Sequence, residues 1–388
     1  MAPRYDLIVV GGGVIGSAIA EAVRHDLGRI CLVERSRERC GSATVAAAGG
    51  INPHLGDGEN EGIAGLAQRS RDLYPAWVER IAAEAGLPLT PRSVGLLQVA
   101  VDEQEHRRLT DHVLPGLRRR GIQVVTLDAA AAREREPLLG PEVVGALEQP
   151  HDLAIDPRAL NGALDTVLES DRGVDLRIGE VRSVTASSGH AEVSLEDGTR
   201  LMADKVVVAA GHQSGALLGM LPEDVFQPVK GQLLDLSVPP GHGLGIQCDA
   251  LLTVDGEEHV VYASPYAEGH VAVGVTFEKG ETDTKCMPWA RDEILANLRR
   301  VLPALAELGA REATPRAGIR PATRDEAPLI GRLDEAGRIL VASGHNGLGI
   351  TLAPRTAELL RLIIAGSAPT AQDLRDLAFS DPRRFLRA

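Results

Sequence analysis

The sequence predicts an α/β protein in two parts: a doubly wound domain with a nucleotide-binding βαβ unit, and an α+β domain built on an antiparallel sheet. Three observations predict it. Residues 6–10 (DLIVV) run into a glycine cluster, a helical stretch over 14–24 and a second apolar run, 29–34 (RICLVE). Strand, glycine turn, helix and strand in about 30 residues make a βαβ unit, which builds parallel sheets. From 227 to 277, strand-like segments instead follow one another directly, the texture of an antiparallel sheet. The chain then returns to a short strand over 339–343 and a long helix over 351–365.

The remaining elements follow from periodicity and punctuation. Residues 62–85 read as a long helix softly broken at Pro75, and 103–114 as a helix that Pro115 would stop. A helix over 129–135 precedes one over 156–169, whose Asp156-Pro157 supplies an N-cap and a first-turn proline. Segments 174–178, 180–187, 191–195 and 205–209 are strand-like, with Asp197-Gly198 as a hairpin turn. Further strands are expected at 231–236, 251–254, 260–262 and 271–275, and a helix at 289–302. No internal repeat is visible. Strand-rich material lies between stretches of α/β material, so the chain enters and leaves its two domains more than once. The expected division is 1–84, 152–224 and 321–388 for the nucleotide domain, and 85–151 and 225–320 for the substrate domain, with the site at their junction.

Composition narrows the function. The 388 residues are 44% apolar, enough for a sizeable core. With 54 acidic and 41 basic residues, the net charge of −13 repels nucleic acid and fits a protein acting on small molecules. Aromatics at 3% argue against base-stacking surfaces. Cys31, Cys40, Cys248 and Cys286 form neither a CxxC pair nor metal-ligand spacing, so no metal is expected and the compartment is read as reducing and cytoplasmic. The weakly charged stretch 7–23 contains glycines and no clear cleavage site, and is read as part of the fold rather than a leader or membrane span.

Gly11, Gly13 and Gly16 form G-x-G-x-x-G between a strand and a helix, and Glu34 ends the next strand. Gly11 permits the tight turn, Gly13 lets backbone approach a pyrophosphate, and Gly16 lets helix and strand pack closely. The helix N-terminus offers unpaired N–H groups to phosphate, and a carboxylate at 34 can accept from both ribose hydroxyls while repelling a 2′-phosphate. This spacing alone does not choose between FAD and NAD. Residues 205–211 (KVVVAAG), a strand ending in small residues, favour the larger flavin nucleotide.

Several segments in order resemble one family: DLIVVGGGVIGSAIA with Glu34, SATVAAAGGINP (42–53), IDPRAL (155–160), VVVAAGHQSG (206–215) and VKGQLL (229–234). VYASPYAEGHVAVGVTFE (261–278), AGIRPATRDEAPLIG (317–331), GHNGLGITLAP (344–354) and FSDPRRF (379–385) complete the series. Together they are similar to the flavin amine oxidoreductases typified by D-amino acid oxidase, in the branch of glycine oxidase and D-amino acid dehydrogenase. The resemblance implies an enzyme with extended FAD that oxidises the C–N bond of a small carboxylate-bearing amine. Glycine, sarcosine, a D-amino acid or an imino acid would give up hydride to flavin N5, and the imine would hydrolyse in water. It implies a nucleotide site from Gly11, Gly13, Val14, Ile15, Gly16, Glu34 and Arg35, a ring loop from Ser42, Ala47, Ala48, Gly49 and Gly50, and contacts at Val181, Ala210 and Gly211. The segment Gly344, His345, Asn346, Gly347, Leu348, Gly349 and Ile350 would lie beside the ring, with Arg320.

By the same resemblance, Arg320 matches the arginine that clamps the substrate carboxylate and Tyr262 a tyrosine that assists it. The chemistry agrees, since a planar guanidinium with forked donors suits a carboxylate. The alternative for Arg320 is an ion pair with Asp325 or Glu326, and for Tyr262 a core role. His54 and Phe277 are further pocket candidates, whereas His212 reads as structural. Position 45 is Val where a flavin-linked histidine would fall, and no cysteine lies near Arg320, so FAD is expected to be non-covalent. The loop 345–349 departs from the glycine oxidase pattern toward the dehydrogenases, which leaves oxygen and a quinone or carrier protein both open as electron acceptor. A quinone would bring peripheral membrane association. A homo-oligomer is compatible with the sequence. The competing functions are an FAD-dependent 2-hydroxy acid dehydrogenase, with His54 as base, and a non-catalytic FAD-binding subunit of a heterocomplex.

Overall fold

The computed structural model describes residues 4–39, 41–55, 60–239 and 241–386. Strand Arg4–Val10 lies at the centre of the first sheet, because Leu7, Ile8, Val9 and Val10 are all apolar and can be buried on both faces. It pairs in parallel with Ile30–Glu34 and with Arg200–Val208. Val174–Ile178 and Ile339–Ser343 extend the parallel set outward, one on each side. Val181–Ala186 and Ala191–Leu195 add antiparallel strands, and the latter turns through Asp197 and Gly198 into Arg200–Val208.

Helices Val14–Val23, Glu61–Ala85, Pro157–Ser170 and Gly349–Ala365 cover one face of this sheet. Their apolar stripes meet Leu7, Val9 and Leu32, with Tyr74 and Leu360 fully buried among them. The opposite face has its own apolar cluster, in which Ile8, Val10 and Val208 meet Val193, Leu329 and Phe385. Val14–Val23 sits close against the turn that precedes it. A Cβ on Gly16 would lie 1.9 Å from the Gly11 carbonyl oxygen.

The second sheet runs from Phe226–Ser237 through His270–Gly274, Glu257–Ala267, Gln247–Val254, Leu96–Ala100 and Gly145–Gln149 to Val125–Asp128. Ala313–Thr323 pairs with Phe226–Ser237 along almost its whole length. The pairings are antiparallel except that Leu96–Ala100 joins Gln247–Val254 in parallel, a mixed feature the sequence did not suggest. Helices Pro288–Val301 and Pro303–Glu312 pack Ile294, Leu298 and Leu305 against Leu234, Leu236 and Val273.

Three segments depart from the sequence reading. The helix begun at Glu103 continues past Pro115 to Arg119, because a π-helical turn at Leu109–Val113 precedes the proline and accommodates its missing N–H. Pro303 opens a further helix, since a proline is tolerated in a first turn. Near the C-terminus, Ala371–Phe379 forms a helix that opens on a capping box of Thr370 and Asp373. Buried Asp376 ties it to Arg69 and to Arg355, whose Nε lies 3.0 Å away.

The contact at Gly16 gives a prediction. Gly16→Ala must displace the Gly11 carbonyl, and overpacking of this kind costs roughly 1–3 kcal/mol. Urea unfolding of the purified variant should show that loss, and an unchanged midpoint would contradict the packing described.

Candidate functional site

A cavity of about 720 Å³ lies where the carboxyl ends of the first sheet's parallel strands meet the second sheet. Ligands of open α/β sheets bind at such strand ends. At one end of the cavity the Glu34 carboxylate accepts from the Gly12 N–H (2.7 Å) and the Ser36 N–H (3.2 Å), which fixes its orientation. Gly13 starts helix Val14–Val23 without a side chain to cap it. The Val14 N–H instead donates to Thr44 Oγ1 at 3.0 Å, and Thr44 itself faces the cavity.

The middle of the cavity is lined by the small residues 41–44 and 46–50. Ser42 caps the short helix Ala43–Ala46 through the Val45 N–H. Arg316 braces this loop from behind, its Nη1 3.3 Å from the Val45 carbonyl. Opposite, the chain 345–351 enters helix Gly349–Ala365 and presents a second helix start to the cavity. His345 bonds Thr356 Oγ1 through Nε2 (3.0 Å), and burial pulls its pKa down to about 3, so it adds no charge there.

At the far end stands Arg320. Its strand, Ala313–Thr323, lies beside Phe226–Ser237, and the guanidinium reaches across Gly231, where a Cβ would come within 2.4 Å of Nη1. Only a glycine leaves it that path. Nη1 donates to the Thr276 carbonyl at 3.2 Å, and the guanidinium stacks over the Phe277 ring at 4.6 Å. Among the described residues no carboxylate pairs with it. Asp325, one of the alternatives, is taken by Arg384 (2.7 Å), and Glu326 occupies a turn with φ 62°. Burial lowers the Arg320 pKa to about 10, the penalty expected of a cation held away from water.

Tyr262 shares this end. Its oxygen lies 2.7 Å from both Asn52 Oδ1 and Gln247 Oε1. Gln247 is held in place because its Nε2 donates to the Gly95 and Leu153 carbonyls, each at 3.1 Å. A phenol has one hydrogen and cannot serve both oxygens. If it goes to Gln247, the Asn52 amide must turn its nitrogen to Tyr262 and its oxygen to Asp152, 2.9 Å away. That orientation needs a proton on Asp152, and burial raises the Asp152 pKa to about 7. The single phenolic hydrogen then has one acceptor.

Of the positions assigned from sequence to the nucleotide, all line the cavity except Gly16 and Gly344, which sit behind it and shape the adjoining turns. Phe277 also lines it, at the mouth, and is 55% exposed. The expectation for His54 needs correction. Its imidazole is buried off the cavity, bonded through Nε2 to Gln68 Oε1 at 2.8 Å, because the chain after Asn52 folds back onto helix Glu61–Ala85. Cys31 and Cys248 are buried in the two cores and Cys286 is exposed, while Cys40 falls outside the described residues. Sequence reasoning missed Asn52, Asp152, Gln247 and Asp249. For Gln247 and Asp249 the available signal was an amide and an acid inside a strand of otherwise apolar residues, QCDALL (247–252).

Open helix starts, an oriented carboxylate and a long cleft of small residues fit a dinucleotide as large as FAD. No helix of the described residues is long and apolar enough to cross a membrane.

The profile of the DAO family, FAD dependent oxidoreductase, matches residues 6–361. The bifunctional protein ThiO/ThiG of Synechocystis sp. is 30% identical over 389 residues, covering 100% of this chain and 55% of that protein. The chain therefore spans about half the length of that relative. Glycine oxidase of Bacillus licheniformis is 29% identical over 95% of both chains. The crystal structure of glycine oxidase from Geobacillus kaustophilus matches with a TM-score of 0.86 at 27% identity, over 98% of both chains. With nearly its whole length matched in sequence and a cleft suited to the nucleotide, the chain belongs to the DAO family of FAD-dependent oxidoreductases.

Proposed function

We propose that the protein oxidises the C–N bond of a small amine that bears a carboxylate: glycine, sarcosine, a D-amino acid or an imino acid. The observation that carries this reading is Arg320, a partly buried guanidinium facing the cavity with no carboxylate among the described residues to meet it. A substrate carboxylate supplies the missing partner through two parallel N–H···O bonds. Relatives named glycine oxidase favour an amine as the other functional group and dioxygen as electron acceptor.

FAD, when bound, supplies the acceptor for the hydride that leaves the α-carbon. The protein's own task is then positioning. Arg320 fixes one end of the substrate, and Tyr262, whose hydrogen is directed to Gln247, turns an oxygen lone pair toward the cavity, where it can accept from the substrate nitrogen. The small residues of loop 42–50 leave room for a flat ring beside that substrate. No dedicated base is assigned, because a neutral amine can lose hydride without one. A 2-hydroxy acid would need such a base, and His54 is held away from the cavity by Gln68. We further propose that FAD is bound without a covalent link, since position 45 is valine and none of the described cysteines lines the cleft.

The test is anaerobic mixing of the FAD-loaded protein with glycine, sarcosine, D-alanine, D-proline and D-lysine. Bleaching of the flavin's visible absorption by at least one of them is expected, and a spectrum unmoved by all five would overturn the proposal. Arg320→Ala should lower kcat/KM for carboxylate substrates roughly 30- to 5,000-fold, the equivalent of about 2–5 kcal/mol for breaking a buried charge pair. Flavin content should stay near that of the parent, and loss of flavin together with turnover would remove Arg320 from the substrate site.

Asp152 gives a pH prediction. Its native pKa of about 7 lies above the ordinary carboxylate range, so between roughly pH 4 and pH 7 the folded protein keeps a proton that the unfolded chain releases. That contribution to stability is complete at low pH and is lost as pH rises through 7. Asp152→Asn does not titrate there. Relative to the parent it should gain stability on going from pH 4 to pH 8, by roughly 4 kcal/mol at most. Urea unfolding at the two pH values reads the difference, and parallel shifts of parent and variant would refute a protonated Asp152.

A further inference from the structure

One acid in the cavity has no task in the reading above. Asp249 stands in strand Gln247–Val254 directly opposite Tyr262. Side chains alternate along a strand. Cys248, Ala250 and Leu252 join Val261 and Ala263 in the core beneath the sheet, so Asp249 and Tyr262 share the other face, and both line the cavity. The Asp249 carboxylate makes no hydrogen bond or ion pair with the described residues. The cation acting on it from helix Glu103–Arg108 is Arg108, which gives Nε and Nη2 to Glu105, each at 2.7 Å. Burial pushes the Asp249 carboxyl up to about 7, with the negative charge of Glu105 adding to the rise. A desolvated acid without a partner is costly unless a ligand brings the opposite charge.

The cavity thus has a cation and an anion on one wall, and the sheet sets their separation. Arg320 lies over Gly231 in Phe226–Ser237, and the path to Asp249 crosses His270–Gly274 and Glu257–Ala267. Asp249, Tyr262, Gly274 and Leu233 form one cross-strand row, and Gly231 lies two residues along from it, so at about 4.8 Å per strand the backbone positions are about 16 Å apart and side chains that lean inward bring the charges to some 10–15 Å. Subtracting a hydrogen-bond length of about 3 Å at each end leaves roughly 4–9 Å for the ligand. An α-ammonium lies too near its own carboxylate to span that gap. An ammonium or guanidinium at the end of an extended side chain spans it.

We propose that Asp249 binds a second, distal cationic nitrogen of the substrate, so that the site selects amino acids with a basic side chain over neutral ones of equal length. This rests on the amine-oxidation reading and adds a substrate class to it.

The experiment compares kcat/KM of the FAD-loaded protein for D-lysine and D-norleucine, which have similar length and differ in the terminal charge. A preference of tenfold or more for D-lysine is expected, and Asp249→Asn should shrink that ratio at least tenfold. Equal use of the two compounds by the parent, or a preference that survives in Asp249→Asn, overturns the assignment. The parent comparison stands even if the variant does not fold. Calorimetric binding of both compounds separates this inference from the wider one. If neither they nor glycine is oxidised, the oxidase reading fails, and Asp249 is upheld by tighter binding of D-lysine to the parent and refuted by equal binding.

Discussion

A partly buried guanidinium that no carboxylate of the described residues pairs with is the constraint on which the rest of the site depends. Removing such a cation from water costs several kcal/mol, and one backbone carbonyl and one aromatic face only partly offset that. The fold nonetheless keeps Arg320 there. It places a glycine at 231 so that the side chain can cross the neighbouring strand, and it engages the nearby acids Glu278 and Asp325 with other residues: Gln232 and Thr276 for the first, Arg384 for the second. A cation kept apart from nearby acids has been kept for something that arrives from outside.

The same logic organises the opposite end of the cleft. Helices Val14–Val23 and Gly349–Ala365 both begin at the cavity wall, and the tight approach at Gly16 brings the first of them onto its strand. The first helix is held by the sheet beneath it. The second is held at its start by Tyr74, whose hydroxyl donates to the Ile350 carbonyl, and along its length by Arg355 in the buried ion cluster with Asp373 and Asp376. An ionic clamp less than two turns along the helix thereby supports a loop beside the cleft.

The nucleotide end was legible in the sequence because its signals are local. Glycine spacing, the strand before it and Glu34 after it all lie within one βαβ unit. Arg320 was legible as chemistry, an arginine in an apolar stretch, and through the family resemblance. The hydrogen-bond set around Tyr262 was not. Asn52, Asp152 and Gln247 come from three distant segments, and no periodicity announces that they converge. His54 misled for the same reason in reverse, since nearness in sequence to the small-residue loop says nothing about the fold-back that carries it to Gln68. Pro115 marked a helix end by propensity alone, and a single wider turn overrode it.

Asp152 and Asp249 set a limit on how such a site can be built. Both are acids raised to about 7 by burial, and at neutral pH each weakens the folded state relative to an uncharged residue of the same shape. Asp152 bonds the Asn52 amide at 2.9 Å, and a proton on it would let Asn52 turn its nitrogen toward Tyr262 and leave the phenol free to donate to Gln247. Asp249 has the Gln98 amide as its register partner but makes no hydrogen bond with the described residues, and it opens onto the cavity. Two acids with similar shifts therefore differ in what can satisfy them: a proton and an amide for the first, an external cation for the second. A shifted pKa alone does not separate a structural acid from one that meets a ligand. The hydrogen-bond inventory around each carboxylate does.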